Sequence, residues 1–83
     1  PNPFNPTTQI RFKLPAAGAV SLRIFDVNGR LVREWSNEQR TAGAHTIVWD
    51  GNDEQGLPVA SGAYFSELVF GTIRRVVKMT LVR

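Results

Sequence analysis

Residues 61–70 read Ser61-Gly62-Ala63-Tyr64-Phe65-Ser66-Glu67-Leu68-Val69-Phe70. Ser61-Gly62 is a turn signal, and the run after it has the period of two that marks a strand with unlike faces. Tyr64, Ser66, Leu68 and Phe70 fall on one face, with Ala63, Phe65, Glu67 and Val69 on the other. Tyr64 stands just past the turn, at the start of the penultimate strand. A phenol there can bond back to nearby backbone, which is the corner found in two-layer antiparallel folds. This placement sends Tyr64 inward and leaves Phe65 partly exposed.

The same period runs outward in both directions. Gly71-Thr72 makes a turn, and Ile73 to Arg83 is the last strand, with Ile73, Val77, Met79 and Leu81 on one face and Arg74, Lys78 and Thr80 on the other. Upstream, Thr8 to Leu14 alternates, with Ile10, Phe12 and Leu14 together, and Pro15 ends it because proline cannot donate to a ladder. After Gly18, Val20, Leu22 and Ile24 form the next inward set. Asp26-Val27-Asn28-Gly29-Arg30 is a hairpin turn, since Asn-Gly accepts positive φ. Leu31 to Trp35 follows with its register open. A two-residue loop sets Arg23 opposite Glu34 and Leu22 opposite Trp35, but leaves Arg33 opposite Ile24. A three-residue loop with Gly29 in a bulge pairs Ile24 with Val32 instead. Ser36 to Ala42 reads as loop, His45 to Trp49 as a fourth strand, Asp50 to Gly56 as dense turn, and Leu57 to Ala60 as a very short strand.

No segment carries apolar residues at helical spacing over ten positions. Short strands separated by turns describe a sandwich or small barrel, and the Tyr64 corner selects the first. The fold expected is all-β, an immunoglobulin-like antiparallel sandwich of about seven strands. Its core is expected to hold Ile10, Leu22, Ile47, Trp49, Leu68 and Met79.

The chain has 83 residues, enough for one domain with a modest core. Its hydrophobic fraction of 42% argues against disorder. There is no run of about 18 apolar residues to span a membrane, and no leader-like start, so an export signal would lie upstream. The absence of cysteine removes disulfides, thiolate metal sites and cysteine nucleophiles. A net charge of +3 raises the question of an anionic partner. The arginines are scattered without interleaved aromatics, so nucleic acid is not expected. Pro1-Asn2-Pro3-Phe4-Asn5-Pro6 reads as an extended linker junction at the edge of a larger protein, with residues 7–83 as the domain.

Asp50, Asn52 and Asp53 offer hard oxygens to calcium, but their spacing is not that of an EF-hand, and Asx turns explain the same residues. His45 is the only histidine and lacks the partners a triad or metal site needs, so it reads as a rim residue. No cofactor is expected. Trp35 and Phe65 are the two aromatics free to stack on sugar, which makes a carbohydrate-binding module of an extracellular glycoside hydrolase the alternative reading. The last strand carries positive charge. At a sheet edge, Val77, Lys78, Met79, Thr80, Leu81, Val82 and Arg83 would offer free backbone groups to a partner, or use those charges to prevent edge aggregation.

The ordered landmarks are Pro1-Asn2-Pro3-Phe4, Leu14-Pro15, Ile24-Phe25-Asp26, Gly29-Arg30, Trp49-Asp50-Gly51, Ser61-Gly62-Ala63-Tyr64-Phe65 and Lys78-Met79. Together they resemble the C-terminal sorting domain of the bacterial type IX secretion system, and equally the related immunoglobulin-like domain of the flagellar hook-capping protein. The Pro-Asn-Pro-Phe opening and the Lys-Met-x-Leu-x-Arg ending favour the sorting family. That resemblance implies a non-catalytic module directing secretion and cell-surface attachment of an upstream cargo domain in the same chain, such as a secreted hydrolase. It implies the outer-membrane secretion machinery and an anionic lipopolysaccharide as partners. The location it implies is secreted or cell-surface, through the periplasm of a Gram-negative bacterium.

Overall fold

The computed structural model describes residues 7–83. Six strands run in the order β1 (Thr8–Leu14), β2 (Gly18–Asp26), β3 (Leu31–Arg40), β4 (Gly43–Trp49), β5 (Gly62–Phe70) and β6 (Ile73–Leu81). They form two antiparallel sheets, β1-β4 and β3-β2-β5-β6. This is the expected immunoglobulin-like sandwich, without a helix among the described residues. Where a short strand was expected at Leu57–Ala60, a single bridge joins Asn52 and Pro58. The linker junction expected over residues 1–6 lies outside the described residues.

Alternation fixes which side of each strand is dry. Val20, Leu22 and Ile24 of β2 are buried, as are Ile47 and Trp49 of β4 and Tyr64 and Ser66 of β5. The central cluster is Ile24, Val32, Trp49, Tyr64 and Leu81, with Ile10, Trp35, Val59 and Met79 packed around it. Trp49 is fully buried and meets Tyr64 edge to face, with ring centroids 5.1 Å apart. Its indole N–H donates to the Asn52 carbonyl at 2.9 Å, so this large apolar group brings no orphan donor inside.

The β2–β3 hairpin takes something from each sequence alternative. Asp26 N donates to Arg30 O and Gly29 N to Asp26 O, leaving a three-residue loop with Gly29 at φ 80°. A bulge follows at once. Phe25 pairs with Leu31, but Ile24 pairs with Arg33, Arg23 with Glu34 and Leu22 with Trp35. Val32 is the extra residue, so both Val32 and Arg33 stand against Ile24, Val32 buried. Arg33 is accommodated because its guanidinium lies 4.7 Å from the Trp35 ring centre, where charge meets the π face.

The segment Ser36–Ala42, expected as loop, continues β3 to Arg40. It is polar because β3 is an edge strand whose far half covers little core. A second register shift, between Val20 and Leu22, places Asn37 at φ 49° with its N–H donating to Ser21 Oγ at 3.0 Å.

Candidate functional site

Of the six residues expected in the core, Leu22, Ile47 and Trp49 are buried, while Ile10, Leu68 and Met79 are half-buried. The shortfall has a single cause. Two strands cannot cover four, so the inner face of the larger sheet is left bare toward β6. Ile73, Arg75, Val77, Met79 and Leu81 point to that inner side, because they pair with the inward residues of β5 and with Gly62. Leu81 is buried, but Val77 stays 58% exposed and Ile73 42%. Between β1 and β6 runs an open groove of about 640 Å³. Leu22, Leu68 and Phe70 form its floor, Ile10 and Phe12 one wall, and Val77 the other.

The residues proposed for recognition are thus placed on an edge. Val77, Lys78, Met79, Thr80 and Leu81 belong to β6, the outermost strand of the four-stranded sheet, and Val82 and Arg83 follow it. Arg83 turns away from the edge. Its backbone N–H donates to Ser61 Oγ at 2.9 Å, and its guanidinium donates to the carbonyls of Val59 and Gly51.

The Asp50–Ala60 segment is stapled by its own side chains. Asp50 Oδ1 accepts from Asn52 N at 3.0 Å, and Asp53 Oδ1 accepts from Gln55 N at 2.9 Å and Leu57 N at 3.0 Å. The carboxylates read as calcium candidates are therefore engaged in Asx turns. Among the described residues no group of three or more His, Cys, Asp or Glu is placed to hold a metal ion. Glu54 reaches across to β3. Its carboxylate accepts the Glu34 N–H at 2.6 Å and lies 3.8 Å from Arg33.

Tyr64 fulfils the corner, donating its hydroxyl to the Ala60 carbonyl at 2.6 Å. Burial pushes its phenol pKa up, the Asp26 carboxylate adds to this, and Arg83 opposes it. Asp26 itself is held below its ordinary value, first by the Arg30 backbone N–H and further by the Arg30 side chain and the Asn28 N–H. His45 is half-buried, stacked on Phe12 at 5.5 Å, with Nε2 donating to the Thr41 carbonyl at 2.7 Å.

Trp35 and Phe65 do not form one stacking platform. Trp35 pairs with inward Leu22, packs on the core and is covered by Arg33. Phe65 lies on the outer face, paired with Phe25 and Lys78. The sheet separates the two rings, so the carbohydrate-binding alternative loses its surface.

The signal that sequence reading missed is the combination of β1 and β6. Each alternates as a core strand does, and only the sheet order shows that both present a free edge to the same groove.

Two antiparallel sheets and a tyrosine corner define an immunoglobulin-like β-sandwich module. Comparison with known proteins narrows that class. The chain belongs to the FlgD Ig-like domain family, whose model matches residues 2–69. It is 40% identical over 48 residues to the basal-body rod modification protein FlgD of Salmonella typhimurium, and equally to that of Salmonella typhi. The matched stretch is 58% of this chain and 21% of either relative, so the chain spans about a fifth of their length. The crystal structure of P. aeruginosa FlgD superposes with a TM-score of 0.67 at 23% identity, over 90% of this chain and 60% of that one, and shows the fold alone. FlgD of Xanthomonas campestris, whose structure was reported for insights into the hook capping essential for flagellar assembly, gives 0.64 at 25% identity over 93% and 55%.

The choice of the type IX sorting family is thereby corrected. Turn glycines, strand alternation and the tyrosine corner are demands of the fold and do not choose between the two families. The Lys78-to-Arg83 ending lies beyond the matched residues 2–69, and the Pro-Asn-Pro-Phe opening falls almost wholly inside them. With the sorting family go the secretion and surface-attachment function, the outer-membrane secretion machinery and lipopolysaccharide as partners, the upstream cargo and the secreted or cell-surface location. The carbohydrate-binding reading is set aside with them.

Proposed function

We propose that the chain is the immunoglobulin-like module of a flagellar hook-capping protein, with residues 7–83 as its folded unit. In this reading it is a rigid structural piece that holds a position in an assembly at the growing hook or rod and works by contact. The observation that carries the reading is the family match over residues 2–69. The named relatives give it its direction, one called a basal-body rod modification protein and another studied for hook capping. A tightly tied corner at Tyr64 and a loop stapled at Asp53 and Arg83 suit a part that keeps its shape under load. In the organism that encodes the chain, removing this module from its parent gene should abolish hooks on electron micrographs and abolish swimming. Normal hooks in that deletion would overturn the reading.

A further inference from the structure

The groove between β1 and β6 has a chemical bias that its apolar floor does not explain. Its rim carries Arg11, Lys13 and Arg75, and no carboxylate lines it. Among the described residues, Asp and Glu side chains pair with Arg23, Arg30, Arg33, Arg40 and Arg74, all away from the groove. The three rim cations have no such pairing; Arg11 only reaches Gln9 at 2.8 Å. The acidic side chains of this protein are spent elsewhere, and the groove is left positive.

Its walls are also unfinished strands. β1 pairs only with β4, and β6 only with β5, so each has one side of backbone N–H and C=O groups without a ladder partner among the described strands. An added strand on either wall would gain main-chain hydrogen bonds, with alternate side chains going down to the floor and up to solvent. β1 contributes Ile10–Leu14 to the wall, which at about 3.3–3.4 Å per residue gives a slot roughly 16 Å long.

We propose that this groove receives an extended segment of a partner protein, apolar at alternate positions and acidic at those between, added as a strand to the β1 edge. Its apolar side chains would fill the space over Leu22, Leu68 and Phe70, and its outward carboxylates would lie beside Arg11 and Lys13, with Arg75 across the groove adding to the positive potential. A second copy of this chain is a poor occupant, because edge-to-edge pairing of β6 would bring Arg75 and its neighbours Arg74 and Lys78 against the same cations. The inference stands on the groove itself and does not depend on the flagellar reading.

The test uses the 83-residue chain labelled with nitrogen-15 and two synthetic peptides, one alternating valine with glutamate and one valine with lysine. The glutamate peptide should shift amide resonances of Ile10–Leu14 and Ile73–Met79 and bind at least about tenfold more tightly than the lysine peptide. Raising ionic strength from about 0.01 to 0.15 M, which shortens the screening length from roughly 30 to 8 Å, should weaken it. Lys13→Glu with Arg75→Glu should reverse the preference between the peptides. N-methylating alternate residues of the glutamate peptide should abolish binding, and this arm needs no variant to fold. Equal affinity for both peptides, shifts confined to β3 or to the Phe25–Phe65 face, undiminished binding after N-methylation, or no binding of the glutamate peptide would each overturn the proposal. So would occupancy of the groove by a small apolar anion such as anilinonaphthalene sulfonate when the peptide is refused.

Discussion

Tyr64 shows how much a single side chain organises. Its ring packs against Trp49, its hydroxyl bonds to Ala60, and Asp26 stands opposite it on β2. Replacing it with Phe keeps the ring but leaves the Ala60 carbonyl without that donor, which should cost about 1–2 kcal/mol. Calorimetry would register this as a fall of about 4–8 °C per kcal/mol for a domain of this size. The phenol also predicts a pH response. Its pKa is raised in the fold above the ordinary 10.0, so the folded state holds the proton more firmly. The associated stability is complete below about pH 10 and is lost as pH rises through the folded value. Tyr64→Phe should flatten that alkaline decline, and an unchanged decline in the variant would show that burial of the phenol is not its source. Sequence alone pointed to this residue because a Tyr after Ser-Gly at a strand start has few other uses.

At the scale of elements, five strands were legible nearly to their ends, because their inner faces are largely apolar and alternate. β3 was not, and the reason is physical. Its far half sits at an edge and buries little, so selection for alternation is weak there, and Ser36–Arg40 looks like loop. Its bulge at Val32 hides the register as well. What protects this edge comes from outside the strand: Glu54 accepts the Glu34 N–H. A hydrogen bond to a charged group contributes about 1.5–3 kcal/mol, less where water reaches it, and Glu54 is 51% exposed by its side chain. In Glu54→Ala, exchange of the Glu34 amide should therefore quicken roughly three- to tenfold, with tenfold corresponding to about 1.4 kcal/mol. Glu54→Gln keeps an acceptor oxygen and should retain most of the protection. If Glu54→Ala exchanges at the wild-type rate, the loop does not guard the edge.

For the molecule as a whole, the sandwich was legible and its asymmetry was not. Alternation says which side of a strand is dry, but not that a two-stranded sheet faces a four-stranded one, so the groove was invisible until Ile10, Leu68 and Val77 were placed along it. The family was ambiguous for a related reason, since the residues that carry a fold are shared by whatever uses it. An unequal sandwich also has fewer side chains tying its layers, which gives weight to bonds that cross between them. Arg83 makes such a bond: it follows β6 of the larger sheet and donates to Gly51, just after β4 of the smaller one, and to Val59 in the connecting loop. Its fork reaches two carbonyls at once, which a lysine ammonium cannot reproduce from the same stem. Arg83→Ala should cost about 1–2 kcal/mol, since the donors are charged but part of the side chain is wet. Arg83→Lys should recover less than half of that loss. Denaturant midpoints for the two variants would decide the matter: if both match wild type, the guanidinium adds nothing to the union of the sheets, whereas a loss confined to Arg83→Ala would mean that charge alone, without the fork, holds the loop against β6.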